Sequence, residues 1–327
     1  MMGIGSDVAT RPSLREVLSK AFGGPDAPFT VWSDSQPLVT TFQSLGVPAQ
    51  HFSDLRTTEE VSGNIVLIPV SVPQHGESSF FREHFDNAAA LVVPLRSFGT
   101  EPAALAYLPR ALAEIDFRQA ADNAQTVVDM VARAPAGLRL TSDSGTDLVV
   151  ELGDDVQLMT PKGTTSILPG EWVSIAQFLE VGIVPQASVN SFTLSGTMCA
   201  DGVSIAHHII DPDVAIPMST AAWRDVSSIR QTGRFPLLVE IHDNSCVGIR
   251  DASGRDVAER LLQHTDPTLR GQLIELALST LDLRSAPDWS VNSQINEAWG
   301  GAHVAFGMGI RGAHIDFVGT DIRVEAW

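Results

Sequence analysis

An apolar run at Asn64–Val72 reads NIVLIPVSV, and a second such run at Ala88–Pro94 reads AAALVVP. Both runs are short and rich in β-branched residues, which is typical of strands buried on both faces. Apolar residues with helical spacing precede them at Ser13–Ala21 and follow them, in two patterns, within Thr100–Ala134. A further short apolar run lies at Phe29–Trp32. Strands that alternate with helices in this way predict an α/β fold with a parallel sheet.

From about residue 136 onward the pattern changes to short, often alternating apolar segments separated by Gly and Asp turns. We expect one main helix there, at Gly254–Leu262 or in a longer element that reaches toward Leu278 and is broken near Pro267. The sequence therefore predicts an N-terminal α/β domain at 1–136 and a strand-rich C-terminal α+β domain at 137–327. The predicted strands of the second domain are Leu138–Thr141, Leu148–Leu152, Gln157–Met159, Ser191–Thr197, Val203–His208, Leu237–Ile241, Ser245–Ile249 and three apolar segments within 303–327.

The composition excludes several classes of function. The chain has 327 residues with 39 Asp+Glu against 21 Lys+Arg, a net charge of −18. This acidity argues against nucleic acids and anionic membranes as partners, because both are bound through clustered Lys and Arg. The two cysteines, Cys199 and Cys246, form neither a CxxC pair nor a disulfide framework. With no signal-peptide pattern and no long apolar span, a cytoplasmic location is expected.

The last part of the chain holds the sharpest group of potential ligands: Glu297, His303, His314 and Asp316. His314 and Asp316 are separated by one residue in a strand pattern, so both side chains project from the same face. A hairpin through the glycine-rich segment Gly307–Gly312 would bring His303 close to His314. Two histidines and a carboxylate suit Fe(II), and with additional carboxylates they suit Zn(II), Mn(II) or Co(II). The alternative is a hydrogen bond donated by a core histidine to Asp316, which would only orient the imidazole ring.

The segment Gly307–Gly312, GMGIRG, matches the G-x-G-x-x-G pattern of dinucleotide-binding sites. No helix pattern follows it, and Asp316 comes too early to contact a ribose, so a glycine-rich hairpin turn is the better interpretation. Two glutamates also lie in apolar surroundings, Glu171 in LPGEW and Glu275 in LIELAL. Each must point outward or have a partner, because an unpaired buried carboxylate is costly. For Glu275 an exposed helix position remains the alternative.

Several motifs in a common order resemble the aminopeptidase T–like metallopeptidases, over about residue 136 to the end of the chain. The motifs are Gly145-Thr-Asp-Leu148, Leu168-Pro-Gly-Glu171, the stretch from Asn190 to Gly202, Gln272-Leu-Ile-Glu275-Leu-Ala-Leu, Gly301-Ala-His303-Val-Ala-Phe-Gly307 and Gly312-Ala-His314-Ile-Asp316. The resemblance implies a pair of divalent metals, Zn, Co or Mn, held by two glutamates, two histidines and an aspartate. The corresponding positions are Glu171, Glu275, His303, His314 and Asp316.

The resemblance implies a metal-dependent hydrolase that acts on an amide or peptide-like small substrate through a metal-activated water. Glu275 would bridge the two metals, and Glu171 would bind one metal or act as the base. A related branch, the 2,5-dihydroxypyridine dioxygenases, implies instead one Fe(II) bound by His303, His314 and Asp316. A metal-free binding protein on the same scaffold is the third hypothesis. A homodimer is expected from the resemblance and from the general prevalence of two-fold assemblies.

Overall fold

The computed structural model describes residues 12–55, 60–71, 81, 83–134, 136–154, 156–159, 162, 166–183, 192–208, 210–281, 286–299 and 301–327. Val72, Asn190 and Ser191, which belong to segments named above, lie outside these residues. The described strands, numbered β1–β17 in chain order, are Thr30–Ser33, Ala49–His51, Gly63–Ile68, Ala88–Val92, Gly137–Thr141, Asp147–Leu152, Leu158–Met159, Trp172–Ser174, Glu180–Ile183, Phe192–Ala200, Gly202–Ala206, Leu237–His242, Ser245–Arg250, Leu273–Ser279, Gly301–Phe306, His314–Thr320 and Arg323–Ala326. The α-helices are Leu14–Lys20, Gln36–Ser44, Pro102–Leu112, Phe117–Arg133, Ala176–Leu179, Pro212–Gln231 and Ala258–Leu262, and the 3-10 helices are Phe52–Asp54, Leu95–Ser97, Pro267–Leu269 and Gln294–Ala298.

A parallel sheet forms the first part of the fold, with the strand order β2-β1-β3-β4-β8. The apolar run that begins at Asn64 forms β3, which ends at Ile68 because Pro69 has no N–H to donate to a neighbouring strand. Helices cover one face through buried residues such as Phe42 and Leu108, and aromatic side chains around Phe85 cover the other. The predicted parallel sheet within an α/β fold is therefore confirmed.

Two antiparallel sheets form the rest of the fold, in the orders β13-β12-β10-β6-β5-β17 and β11-β16-β15-β14-β9-β7. They pack against each other through a shared core to which Val304 and Ile315 contribute fully buried side chains. Burying an aliphatic side chain of this size stabilises the fold by about 1.5–3 kcal/mol. Successive side chains of a strand point to opposite faces. The face of the third sheet that turns away from this core therefore carries His303 and Asp316.

The two halves of the chain share elements. Trp172–Ser174 lies beyond residue 136, yet it forms β8, the last strand of the parallel sheet, and pairs with β4. Leu281, Ile295 and Trp299 also pack into the core of the parallel sheet. The division into residues 1–136 and 137–327 stays a prediction, and the later residues complete the first core.

The position of the main helix in the second half was predicted wrongly. Within the expected segment only Ala258–Leu262 is α-helical, and Pro267–Leu269 is a short 3-10 helix. The longest described helix of the second half is Pro212–Gln231. Pro212 and Pro217 read as helix breakers in the sequence, and the buried face depends on small residues such as Ala215 and Ala222. A face made of small residues gives a weak apolar pattern. No helix in the described part of the chain has both the length and the apolarity that a membrane span requires.

The segment after Pro267 also differs from the prediction. Leu273–Ser279 is strand β14 rather than the continuation of a helix, and it pairs with β9 on one side and with β15 on the other. Glu275 therefore lies on a strand, where a β-bulge between Leu273 and Glu275 shifts the pairing with β15. The exposed helix position considered for Glu275 does not exist.

The glycine-rich segment is a hairpin turn between β15 and β16, as predicted. Gly307 and Gly309 have φ angles of +83° and +71°, which side chains with a Cβ rarely adopt. The buried carboxylate of Asp266 accepts three backbone N–H groups of the turn, from Met308, Gly309 and Arg311, at 2.7–3.0 Å. This carboxylate fixes the turn and with it the start of β16.

Candidate metal centre

One row of side chains crosses the polar face of the third sheet. Asp316 on β16 lies directly opposite Ala305 on β15, and Ala305 lies opposite Glu275 on β14. Directly opposed residues of antiparallel strands project from the same face about 5 Å apart. The small Ala305 thus separates two carboxylates that can converge above it.

A second row contributes an imidazole and another carboxylate. His303 projects from the same face as Ala305, because the two residues are separated by one position on β15. Its Nε2 lies 3.7 Å from Asp316 Oδ1, and its Nδ1 lies 3.7 Å from Glu180 Oε2. Glu180 is the first residue of β9, opposite Ser279 on β14. The ring of His303 is therefore flanked by carboxylates on both sides.

His314 is oriented toward the same point by the hairpin turn. Its Nδ1 donates to the carbonyl oxygen of Gly307 at 2.7 Å, since a carbonyl can only accept. The other ring nitrogen, Nε2, lies 2.9 Å from Asp316 Oδ1 and 3.8 Å from Glu275 Oε2. An imidazole whose Nδ1 is held by a backbone carbonyl presents Nε2 as a potential metal ligand.

A third glutamate lies behind these donors. Glu297, in the 3-10 helix Gln294–Ala298, is buried and accepts a hydrogen bond from the hydroxyl of Ser204 at 2.6 Å. Ser204 on β11 is directly opposite Asp316, so the hydrogen bond holds Glu297 beside the row of side chains. Glu297 belongs to the group that the sequence singled out near the C-terminus.

The sheet leaves space for the donors by placing small residues beside them. Ala277 lies opposite both His303 and Gly182. A Cβ at Gly182 would come within 2.8 Å of Glu275 Oε1 and 2.9 Å of Met159 Cε, so the absence of a side chain there makes room for the glutamate.

The arrangement of the donor atoms is itself suited to a metal ion, without reference to any related protein. One ligand atom each from Glu180, Glu275 and His303 lies within 4.8 Å of the other two. Four buried carboxylate oxygens, Glu180 Oε2, Glu275 Oε1 and both oxygens of Asp316, lack a well-aligned hydrogen-bond donor among the described residues. Leaving buried carboxylate oxygens unsatisfied is costly, and a cation at their centre would satisfy them.

Burial and mutual charge shift the ionisation of these groups. Burial raises the pKa of Glu180 to about 7, although the neighbouring His303 opposes the shift. Burial, followed by the charge of Asp316, raises the pKa of Glu297 well above its usual value. Burial disfavours the charged form of His314, but Asp316 outweighs it and raises the pKa to about 10. Burial also opposes the ionisation of Asp316, yet His314 keeps the pKa of that carboxyl below its usual value. Without a cation the cluster therefore retains protons at neutral pH.

The donors open into a cavity of about 400 Å³ between the third sheet and the parallel sheet. Its walls include Pro94, Phe98 and Ser174 from the first sheet and its connections, together with all the donors named above. The side chains of His314 and Glu275 are 17% and 13% exposed, whereas those of His303 and Asp316 are at most 3% exposed. The cavity thus reaches the cluster from the side of His314 and Glu275.

The structure brings together four of the five residues that the resemblance indicated: Glu275, His303, His314 and Asp316. It places Glu171 elsewhere, just before β8, where the carboxylate pairs with Lys162 and accepts a hydrogen bond from the backbone N–H of Leu168 at 2.7 Å. The Lys162 ammonium, foremost, lowers the pKa of Glu171. Glu171 does not reach the cluster in this structure.

Glu180 takes the place in the cluster that the resemblance implied for Glu171. The sequence contains an indication of this role for Glu180. Like Glu275 in LIELAL, Glu180 belongs to an apolar segment, EVGIV. Both glutamates interrupt apolar strand patterns, which is costly unless a partner is provided. The motif resemblance implied Glu171 instead.

Residues 26–326 match the sequence profile of the family described as crocagin biosynthetic protein CgnE/B. The chain belongs to this family. The family description assigns its members to crocagin biosynthesis and names no reaction. Among curated proteins, none matches this CgnE/B family member. The motifs had indicated a different family.

Two solved structures resemble the CgnE/B family member along nearly its whole length. The 2,5-dihydroxypyridine dioxygenase from Pseudomonas putida is 14% identical with a TM-score of 0.51, and the match covers 96% of this chain and 92% of the dioxygenase. Wild-type AmpT from Thermus thermophilus is 13% identical with a TM-score of 0.48, and the match covers 95% and 94% of the two chains. At such low identity the likeness to the dioxygenase is one of fold alone.

Proposed function

We propose that the chain is a divalent-metal-dependent enzyme that acts in a biosynthetic pathway, as the name of its family indicates. The metal ligands are Glu180, Glu275, His303, His314 and Asp316. The observation that carries the proposal is the convergence of these buried donors, with unsatisfied carboxylate oxygens, on one cavity. Glu180 replaces Glu171, which the resemblance had implied.

The reaction we favour is hydrolysis of an amide or peptide-like small substrate. A bound divalent ion supplies polarisation of a carbonyl oxygen and a water of lowered pKa. The chain contributes a cavity in which the side chains of the proposed ligands are at most 17% exposed, so their contact with bulk water is limited. It also contributes Glu297, a buried carboxyl group of raised pKa that can hold a proton beside the donors.

The donor set is suited to Zn, Co or Mn, and its negative charge favours two ions over one. Three carboxylates, Glu180, Glu275 and Asp316, bring more negative charge than one divalent cation neutralises. Carboxylates and imidazoles together are ligands that all three metals accept. We propose that Glu275, whose oxygens lie between His314 and Gly182, would help to hold both ions.

A second candidate function is that of a mononuclear Fe(II) dioxygenase that cleaves a ring. Its supporting observation is the grouping of His303 and His314, whose Nε2 atoms lie 3.7 Å and 2.9 Å from the same oxygen of Asp316. Two histidines and one carboxylate form the ligand set of many non-haem Fe(II) oxygenases. The third hypothesis, a metal-free binding protein, predicts that no metal copurifies.

Metal analysis of the protein purified without chelator tests these functions. About two Zn, Co or Mn ions per chain support the hydrolase, and one iron supports the dioxygenase. Release of amine from aminoacyl anilides and oxygen uptake with hydroxylated pyridines or catechols then test the reactions themselves. Protein that neither contains metal nor binds added Zn²⁺, Mn²⁺ or Fe²⁺ would contradict both enzyme proposals.

Metal affinity is expected to rise with pH, because the metal must displace protons from the cluster. The pKa of Glu180 is about 7, that of His314 is about 10, and the neighbouring carboxylates raise the pKa of His303 above its ordinary value despite burial. Near pH 6, binding should release about two protons or more, and near pH 9 about one. Calorimetry of Zn²⁺ binding in buffers of different ionisation enthalpy counts these protons. Affinity that is independent of pH from 6 to 9 would contradict the donor assignment.

The remaining expectations stay predictions. They are a small-molecule or short peptide substrate, no nucleic-acid or membrane partner, a homodimer and a cytoplasmic location. The net charge of −18 continues to favour the absence of nucleic-acid binding. Light scattering at several protein concentrations tests the dimer.

A further inference from the structure

A second cavity of about 450 Å³ lies beside the metal cavity. Phe98 and His207 line both cavities, so the two spaces share a wall. The second cavity contains none of the proposed metal ligands. Its remaining walls include Arg96, Ile216, Thr220 and Trp223. The proposed function leaves this space without a role.

His207, which lines both cavities, carries hydrogen-bonding ring nitrogens that no described residue uses. The residue is 6% exposed, and its backbone N–H donates to the carbonyl of Ser97 at 2.9 Å. Both ring nitrogens lack a hydrogen-bond partner among the described residues. Burial, with smaller contributions from the charges of His208 and Arg96, lowers the pKa of His207. The neutral ring has one N–H donor and one acceptor, and leaving both buried and unsatisfied is unfavourable.

Arg96 brings a positive charge to the same cavity. It lies in the 3-10 helix Leu95–Ser97, and its backbone N–H donates to the carbonyl of Pro69 at 3.1 Å. Burial lowers the pKa of its guanidinium, with Asp34 opposing, but the group stays charged at neutral pH. A partly desolvated guanidinium favours a carboxylate, which it can bind through two parallel hydrogen bonds.

Part of the remaining lining is apolar and can pack against an apolar ligand body, beside polar groups such as Thr100 and Thr220. Ile216 and Trp223 supply apolar walls on the helix Pro212–Gln231. The hydroxyl of Ser219 donates to the carbonyl of Ala206 at 3.2 Å and is therefore already engaged as a donor. Glu101, the acidic residue of the lining, is exposed. A ligand with an apolar body and a single carboxylate matches this arrangement.

We propose that the cavity lined by Arg96 and His207 binds the carboxylate end of the substrate, whose reacting group passes Phe98 and His207 to reach the metal cluster. This inference rests on the proposed function for the identity of the reacting end. The carboxylate site itself is formed by residues that do not bind the metal. It specifies the substrate as an apolar carboxylic acid rather than a neutral or cationic molecule.

A matched pair of probes tests the carboxylate site on the full-length chain without added metal. 3-Phenylpropionate and 3-phenylpropanamide have the same body and differ in the charged group. Calorimetry or ligand-observed NMR is expected to show that the acid binds at least about tenfold more tightly than the amide. Equal affinities for the two probes would overturn the proposal.

Variants assign the preference to the two side chains. Arg96→Gln should remove the preference for the acid. Arg96→Lys should keep part of the preference, because lysine has the positive charge but lacks the two parallel N–H donors of the guanidinium. His207→Phe should weaken binding of the acid, because phenylalanine keeps a ring at this position of the cavity wall but has no ring nitrogen that can form a hydrogen bond. Arg133→Gln, in an exposed helix position with its side chain 79% exposed, is the matched control and should bind like the wild type. An unchanged preference in folded Arg96→Gln, verified by circular dichroism, would overturn the assignment.

A metal-loaded experiment separates this inference from the proposed function. In Zn²⁺-loaded protein, acetohydroxamate should occupy the metal cavity and leave the affinity for 3-phenylpropionate unchanged within about twofold. Mutual exclusion of the two probes would place the acid on the metal and overturn the inference. In a further outcome, Zn²⁺ fails to bind while the preference for the acid persists and still depends on Arg96. This result would contradict the proposed function but would support the carboxylate site.

Discussion

Replacing Glu180 with Gln is expected to lower the affinity for Zn²⁺ by at least about a hundredfold, whereas Glu171→Gln should leave it unchanged. Glu180 contributes a buried carboxylate that is 7% exposed and lies 3.7 Å from His303 Nδ1. Glutamine keeps the shape but removes the charge that a cation requires. Glu171 pairs with Lys162 outside the cluster, so loss of its charge should not reach the metal.

The two variants are matched, because each makes the same chemical change on neighbouring segments of the chain. Zn²⁺ affinity can be measured by competition with a chromophoric chelator, and thermal unfolding without metal checks that each variant folds. The reverse outcome, with affinity lost in Glu171→Gln and kept in Glu180→Gln, would return the ligand set to the one that the motif resemblance implied.

Gly182→Ala is expected to weaken metal binding by about tenfold or more without removing any donor. A Cβ at Gly182 would lie 2.8 Å from Glu275 Oε1, closer than carbon and oxygen normally approach. Met159, which the Cβ would also meet, has a flexible side chain that can move away. Glu275 must therefore shift from the position in which it faces His314.

Gly24→Ala is the control for this substitution, because a Cβ there meets nothing within 4 Å. The free energy of unfolding without metal should change by less than about 1 kcal/mol in the control and modestly in Gly182→Ala. Metal affinity should fall only in Gly182→Ala. If Gly182→Ala binds metal as tightly as the wild type, Glu275 does not need its present position and is not a ligand.

The sequence determined the strands and the hairpin that carry most of the site. The pattern around His314 and Asp316 predicts one face of a strand, and β16 places both side chains on that face. The glycines between His303 and His314 predict a turn, which the positive φ angles of Gly307 and Gly309 confirm. Such local features depend on periodicity and on backbone conformation, which short stretches of sequence specify.

The choice between the two upstream glutamates depends on pairing that the local sequence does not specify. Glu171 and Glu180 lie on either side of the same short segment, and each adjoins an apolar strand. The strand after Glu171 joins the parallel sheet beside β4, whereas the strand that begins with Glu180 joins β14 in the third sheet. Long-range register decides which carboxylate faces the histidines.

The cavity at Arg96 and His207 is a tertiary feature of the same kind. Arg96 follows a strand of the parallel sheet, and His207 follows β11 of the third sheet. The backbone hydrogen bond between His207 and Ser97 brings these segments together. No periodicity connects residues so far apart, so the sequence alone does not indicate this cavity.

Anomalous diffraction from crystals soaked in Zn²⁺ or Mn²⁺ tests the convergence of the donors most directly. We expect a strong anomalous peak in the 400 Å³ cavity, at about 2.0–2.3 Å from the donor atoms of His303, His314 and Asp316, with Glu180 and Glu275 completing the coordination. A peak located at Glu171, or no peak in the cavity at metal concentrations that saturate binding in solution, would contradict the convergence of these donors on a metal.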